Sequence, residues 1–253
     1  MIDLHLIGIG TGNPDHLTRA AEAAMNAADL ILLPRKRDAA SDLIDLRRGL
    51  CAAVLRGETR VVEFDLPERA DSDAYLAAVG DWHDAIAACW ATQIATHLPS
   101  GGRLALLVWG DPSLYDSSLR IADRLRDGGM ALRVQVVPGI TSLQALTAAH
   151  AIPLNTLAAP VLVTTGRRLR ADGWPAVADT LAVMLDGGCA FTTLDPRGVT
   201  IWWGAYLGMP QQTLVTGPLS EVAAAIVAER ARLRAAHGWI MDTYLLRQSE
   251  PAT

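Results

Sequence analysis

The chain has 253 residues, of which 51% are apolar and 19% charged, and its formal net charge is −5. That apolar content excludes an intrinsically disordered chain, and the acidic balance excludes a general nucleic-acid binder, because neutralising phosphates needs a basic surface. Aromatic residues are only 5%, so the core is expected to consist mainly of Ala, Leu and Val.

In chain order, residues 4–9 form a short apolar run ending in glycines, as in a buried parallel strand. Residues 18–28 are Ala-rich and read as a helix. Residues 30–33 predict a second strand, stopped by Pro34. Ser41 is a candidate N-cap for a helix through Val54. Residues 60–64 predict a third strand, and residues 72–97 one long helix or two, with Gly80 as a break. Residues 103–109 give a fourth strand, running into Gly110-Asp111-Pro112. A helix over 117–126 closes at Gly128-Gly129. A fifth strand over 132–137 leads through Pro138-Gly139 into a helix over 141–149.

After about Ile152 strand signals come closer together, at 160–164, 181–185, 199–206, 212–216 and 239–246. Helices are expected at 174–180 and 219–236. The reading is α/β, with a mostly parallel sheet in an N-terminal domain, residues 1–152, and a mixed sheet in a C-terminal domain, residues 153–253. In open α/β sheets ligands bind outside the carboxyl ends of strands. The loops after strands one, four and five are therefore the first candidates for a site.

Other classes fit poorly. Cys51, Cys89 and Cys189 are odd in number and widely spaced, which argues against a disulfide framework or a zinc ribbon. The six histidines show neither HExxH nor a CxxC partner, so no metal is expected. No formally charged residue lies between Arg133 and Arg167 if His150 is neutral, but Pro138, Pro153 and Pro160 divide that stretch, and no membrane span is expected. The N-terminal residues have no basic start or cleavage region, which predicts a cytoplasmic protein.

Each candidate loop has an ordinary reading beside the functional one. Gly8-Ile9-Gly10-Thr11-Gly12-Asn13 invites a dinucleotide-binding reading, but Asn13 stands where the third glycine would be. The second strand also ends without the acidic residue that holds a ribose. Asp111 could accept hydrogen bonds from a ribose or an amino group, or merely occupy a turn position. Thr141 or Ser142 could orient a ligand carboxylate, or simply cap a helix. Basic residues cluster at Arg35-Lys36-Arg37, Arg47-Arg48 and Arg167-Arg168-Leu169-Arg170. These are either solvated faces or clamps for a polycarboxylate.

Taken together and in order, the loops are far more specific than any one alone. A GxGxGxxxxLT opening over 8–18, GDPxxY over 110–115 and VPGIT running to IPLN over 137–155 resemble the tetrapyrrole methylase family. The match continues through Met184 and Val215-Thr216-Gly217-Pro218-Leu219. The resemblance implies two αβα domains with a cleft between them, a homodimer, and S-adenosylmethionine as methyl donor. It implies cofactor contacts at Thr11, Trp109, Gly110, Asp111, Leu114, Thr141, Ser142, Met184 and Gly217, although many members have Pro where Thr11 stands.

Runs such as Leu33-Pro34-Arg35-Lys36-Arg37 and Trp203-Gly204-Ala205-Tyr206-Leu207-Gly208 are most similar to the members that methylate ring carbon 1 of precorrin-5 and release acetate. The small-molecule substrate would then be a polycarboxylate tetrapyrrole, with Arg35, Arg37, Arg167 and Arg168 as candidate contacts. Asp111 and Tyr115 are the catalytic candidates; His150 and Asp15 lie within motif reach, but each has a plain structural explanation. The alternatives are a family member acting at another ring carbon, a nicotinamide-dependent oxidoreductase, and a non-catalytic binding protein.

Overall fold

Five parallel strands carry the first half of the chain, and the central ones are apolar on both faces. The computed structural model describes residues 1–35, 42–68 and 75–248. In chain order the elements are β1 (Ile2–Gly8), α1 (Arg19–Ala27), β2 (Leu30–Arg35), α2 (Asp42–Val54), β3 (Arg60–Asp65), α3 (Tyr75–His97), β4 (Gly102–Val108), α4 (Ser118–Asp127) and β5 (Leu132–Val137). The sheet order is β3-β2-β4-β1-β5. Leu4, Leu6, Leu30, Leu32, Leu104 and Leu106 point to one face, where Ile86 and Trp90 of α3 and Ile121 of α4 cover them. Ile7, Ile31, Leu33, Ala105 and Leu107 point to the other, under Met25 of α1 and Leu50 of α2. That alternation is the period of a strand, and burial on both faces explains the continuous apolar runs.

Two local expectations are decided by the structure. Pro34 does not stop β2, which continues to Arg35. Pairing with β4 ends at Leu32 opposite Leu106, so beyond that point β2 has a partner only in β3, and an edge tolerates a residue without an N–H. Gly80 does not break α3, a single helix of 23 residues. Ser41 and the start expected at 72 lie outside the described residues, as do Lys36 and Arg37.

The chain divides into two units between Ile140 and Thr141, one helix ahead of the expected change after Ile152. The helix α5 (Ser142–His150) belongs to the second unit because it packs on strands of that unit: His150 Nε2 lies 3.0 Å from the carbonyl oxygen of Trp203. The elements that follow are β6 (Val161–Thr165), α6 (Gly166–Asp172), β7 (Thr180–Met184), β8 (Val199–Ala205), β9 (Thr213–Pro218), α7 (Leu219–His237) and β10 (Asp242–Gln248). Their order is β6-β7-β10-β8-β9, with β6 and β7 parallel and the remaining pairs antiparallel.

The helix expected at 174–180 is absent. It stands instead at α6, where Thr165 caps the first turn by accepting from the Arg168 N–H, and Thr180 begins β7. The helix therefore takes up the Arg167–Arg170 charge run. The scarce aromatics are concentrated rather than absent from the core. Trp203, Tyr206, Tyr244 and Phe191 are the largest fully buried side chains, all in the second unit. Among the described residues, no helix is long and apolar enough to cross a membrane.

Two histidines are expected to make the first unit acid-sensitive. Burial lowers the pKa of His5, whose buried Nδ1 has no hydrogen-bond partner. Burial, then Arg124 and Arg120, lower that of His83. A depressed histidine resists protonation when folded but not when unfolded, so its stabilisation is present above the unfolded pKa of about 6.5 and is lost as pH falls below it. The melting temperature is expected to fall from pH 7 to pH 5. The double variant His5→Gln/His83→Gln should show a shallower fall, and an equal slope in variant and wild type would exclude both groups as the cause.

Candidate active site

The loops after β4, β1 and β5 leave three adjacent strands at their carboxyl ends, and there they meet backbone to backbone. Gly10 and Gly110 exchange hydrogen bonds, with Gly110 N donating to the Gly10 carbonyl at 2.8 Å and Gly10 N donating to the Gly110 carbonyl at 3.3 Å. Gly110 has φ +66°, in the left-handed region. A Cβ at Gly139 would lie 2.1 Å from the Gly110 carbonyl oxygen and 2.7 Å from the Gly8 carbonyl carbon. One at Gly8 would lie 2.6 Å from the Gly139 nitrogen. Gly8 and Gly139 are thus required by loop-on-loop contact.

Asp111 ties this arrangement together. Its Oδ1 accepts from the backbone N–H and hydroxyl of Ser113, and its Oδ2 accepts from the Gly139 N–H at 2.8 Å. Burial pushes its carboxyl upward, but the Ser113 hydroxyl and the Gly139 and Ser113 N–H groups outweigh that and hold it below the usual carboxylate range. Asp111 is therefore an ionised clamp between two loops, which makes it a poor general base. Thr11 is buried, and its hydroxyl lies 3.0 Å from His16 Nδ1. Asn13 caps the following turn by accepting from the Asp15 N–H, a structural explanation for both residues.

Tyr115 follows Leu114 with φ +51°, a backbone position unusual for a bulky residue, and it is 44% exposed. Burial raises the pKa of its phenol, so Tyr115 suits donating a hydrogen bond rather than abstracting a proton. It lines a cavity of about 470 Å³ with Trp82, His83, Ser113 and Arg120. Sequence reading did not single out His83, which lies inside α3 without motif spacing.

In the second unit Thr141 caps α5 by accepting from the Leu143 N–H, while Gln144 Oε1 accepts from the Thr141 N–H at 2.8 Å. Ser142 opens the helix. Met184 ends β7 and is followed by Leu185, with φ +52° and 65% exposed. Gly217 lies in β9, opposite Ile201 of β8, with φ +155°. Close behind Met184, Asp186 is buried and accepts from Gly188 N, Ala190 N and the Tyr244 hydroxyl. The sequence offered it only within Met184-Leu185-Asp186-Gly187-Gly188-Cys189-Ala190-Phe191, a run similar to the same family members.

The basic residues differ from a free clamp. Arg35 is paired with Asp65 at 2.7 Å and with Glu63 at 3.6 Å. Arg168 pairs with Asp172 at 2.9 Å on the exposed face of α6. Arg167 is exposed on the same helix, and Arg37 lies outside the described residues. Among the described residues no group of three His, Cys, Asp or Glu side chains could hold a metal ion.

Comparison with known proteins places this geometry. Residues 3–223 match the tetrapyrrole (corrin/porphyrin) methylases. A precorrin-6A synthase [deacetylating] from Sinorhizobium sp is 45% identical over 96% of this chain and 94% of its own. The crystal structure of a cobalamin-synthesis-related protein (CobF) from Corynebacterium diphtheriae superposes with a TM-score of 0.84 at 38% identity, covering 98% of this chain and 99% of that one. A uroporphyrin-III C-methyltransferase from Thermus thermophilus, complexed with S-adenosyl homocysteine, shares the fold with a TM-score of 0.60 at 21% identity, covering 97% and 92%.

Proposed function

The chain belongs to the tetrapyrrole methylase family, and from that premise we propose that it is a precorrin-6A synthase, methylating carbon 1 of precorrin-5 and releasing the ring-contraction acetyl group as acetate. The observation that carries this activity is the near-full-length identity to a synthase of that name. The geometry supports the family's cofactor at the carboxyl ends of β4, β1 and β5, where Gly8 and Gly139 let the three loops close on one another backbone to backbone. S-adenosylmethionine, when bound, supplies an already activated methyl group.

The residues of this chain then act chiefly by positioning. Asp111 fixes the loop after β4 to Gly139 and keeps the Trp109-to-Leu114 backbone in one conformation. Thr11, held by His16, forms a buried wall of the first loop. Thr141 and Ser142 present the start of α5, and Met184 and Gly217 contribute strand-end backbone in the second unit. Tyr115 is suited to donate a hydrogen bond to an oxygen that gains charge as the acetyl group leaves. Arg167 and Arg168 are proposed contacts for substrate carboxylates. The same reading includes a homodimer and a cytoplasmic location.

The test is incubation with methyl-labelled S-adenosylmethionine and precorrin-5, followed by mass analysis. Label in the macrocycle together with free acetate is the expected result. Label without acetate would assign methylation at another ring carbon, and a thermal shift with NAD but not with S-adenosylmethionine would overturn the reading. Arg167→Ala/Arg168→Ala is expected to raise KM for precorrin-5 severalfold, and an unchanged KM would remove both from the substrate site. Light scattering of the purified protein checks the dimer.

A further inference from the structure

One cation at the carboxyl end of the first sheet has no ion-pair partner among the described residues. Arg47 is on α2 and is half-buried. Its Nε donates to the carbonyl of Leu107 in β4 at 3.2 Å, and its Nη1 reaches the Leu43 carbonyl at 3.5 Å. Among the described residues no carboxylate lies within ion-pairing distance of it. The nearby carboxylates are engaged elsewhere: Glu63 and Asp45 hold Arg48, and Asp65 holds Arg35. The acidic group in its field is Asp116, whose Oδ1 accepts from the Ser118 N–H at 2.7 Å. Burial lowers the pKa of the Arg47 guanidinium, the direction expected of a cation withdrawn from water without a partner.

The position follows from the strand register. Pairing of β2 with β4 stops at Leu32 and Leu106, so the carbonyl of Leu107 has no strand partner on that side and takes the Arg47 N–H instead. A neutral amide could satisfy that carbonyl. A full positive charge there is costly unless an anion completes it, because buried charges are normally paired. The place is the crevice outside parallel strand ends, two residues before Trp109, where ligands of such sheets bind.

We propose that Arg47 receives a carboxylate of the tetrapyrrole substrate, its Nε anchored on β4 and its remaining N–H groups turned to the ligand. The assignment rests on the methyltransferase reading. It adds, to the exposed arginines proposed above, a half-buried arginine that bonds only backbone carbonyls and has no ion-pair partner among the described residues. Bidentate pairing needs the guanidinium fork, so lysine cannot hold both the Leu107 carbonyl and a carboxylate through one nitrogen.

The experiment measures KM for precorrin-5 and Kd for S-adenosylmethionine in wild type, Arg47→Met and Arg47→Lys. The methionine variant is expected to raise KM by about tenfold or more, and the lysine variant by roughly threefold, with cofactor Kd unchanged. Unchanged KM in the folded methionine variant overturns the assignment. If that variant does not fold, wild-type KM in the lysine variant does so instead. A weaker cofactor Kd with unchanged KM would also overturn it, since the carboxylate would then be that of the methyl donor. Wild-type protein that binds S-adenosylmethionine but does not methylate precorrin-5 would sink the functional reading itself, a result distinct from any of these.

Discussion

Gly139→Ala is expected to abolish S-adenosylmethionine binding and to lower the unfolding midpoint of the first unit by roughly 10 °C. The added methyl group would sit 2.1 Å from the Gly110 carbonyl oxygen and under 3 Å from the Gly8 backbone. These neighbours are backbone atoms held by the Gly10–Gly110 hydrogen bonds and by Asp111, so no side chain can swing away. Forcing a methyl group into so tight a contact costs about 3 kcal/mol, at the upper end for overpacking. For a unit of this size each kcal/mol moves the midpoint by a few degrees. Relief requires the loop after β5 to lift from the loop after β4, which breaks the Asp111-to-Gly139 hydrogen bond and separates the loops proposed to hold the cofactor.

Gly49→Ala is the matched control. Gly49 lies within α2 with nothing within 4 Å of its would-be Cβ, and the same substitution there should stabilise by about 0.5–1 kcal/mol. Calorimetry of unfolding and isothermal titration with S-adenosylmethionine decide the matter. Wild-type cofactor affinity in Gly139→Ala would show that this edge is not the cofactor cradle.

The residues legible in the sequence are those whose role is local. Glycines after an apolar run, Thr141 three residues before Gln144, and Gly128 after a helix act on backbone within a few positions, and the structure finds each near its expected place. Pro34 misled because its tolerance depends on where β4 stops pairing, which no neighbour in sequence reports. The helix expected at 174–180 stands earlier, after β6, because Thr165 is an ordinary N-cap residue and the Arg167–Arg170 run, readable as a solvated face, forms its exposed side. Arg47 and Asp186 were opaque for the same reason. The first meets its partner in Leu107, the second in Tyr244, both far along the chain. A charge run shows that cations are present, but only the fold shows which ones the protein has already neutralised.

Arg230→Met is expected to be the most destabilising single change in the second unit, by about 3–5 kcal/mol, since it strands a buried charge. The side chains of Arg230 and Asp242 are only 11% and 7% exposed. Arg230 Nε donates to Asp242 Oδ2 at 2.9 Å, Trp203 Nε1 donates to the same oxygen at 3.0 Å, and Arg230 Nη2 reaches the Asp186 carbonyl at 3.1 Å. The pair therefore links α7, β8, β10 and the segment after β7. Burial keeps the Asp242 carboxyl above its usual range even with the guanidinium beside it, while Asp242 keeps Arg230 firmly protonated against its own burial.

The sign of this balance matters. A carboxyl already raised by burial gains much from its partner and has little water to fall back on, so removing the arginine costs more than the pair itself contributes. Arg230→Met/Asp242→Asn should accordingly recover most of the loss, because the amide leaves no charge behind and can still accept from Trp203. Chemical unfolding of the two single variants and the double variant, followed by intrinsic tryptophan fluorescence, closes the cycle. A loss under about 1 kcal/mol in Arg230→Met, at the level of an exposed ion pair, would show that water reaches Asp242 and that the link is not a buried one.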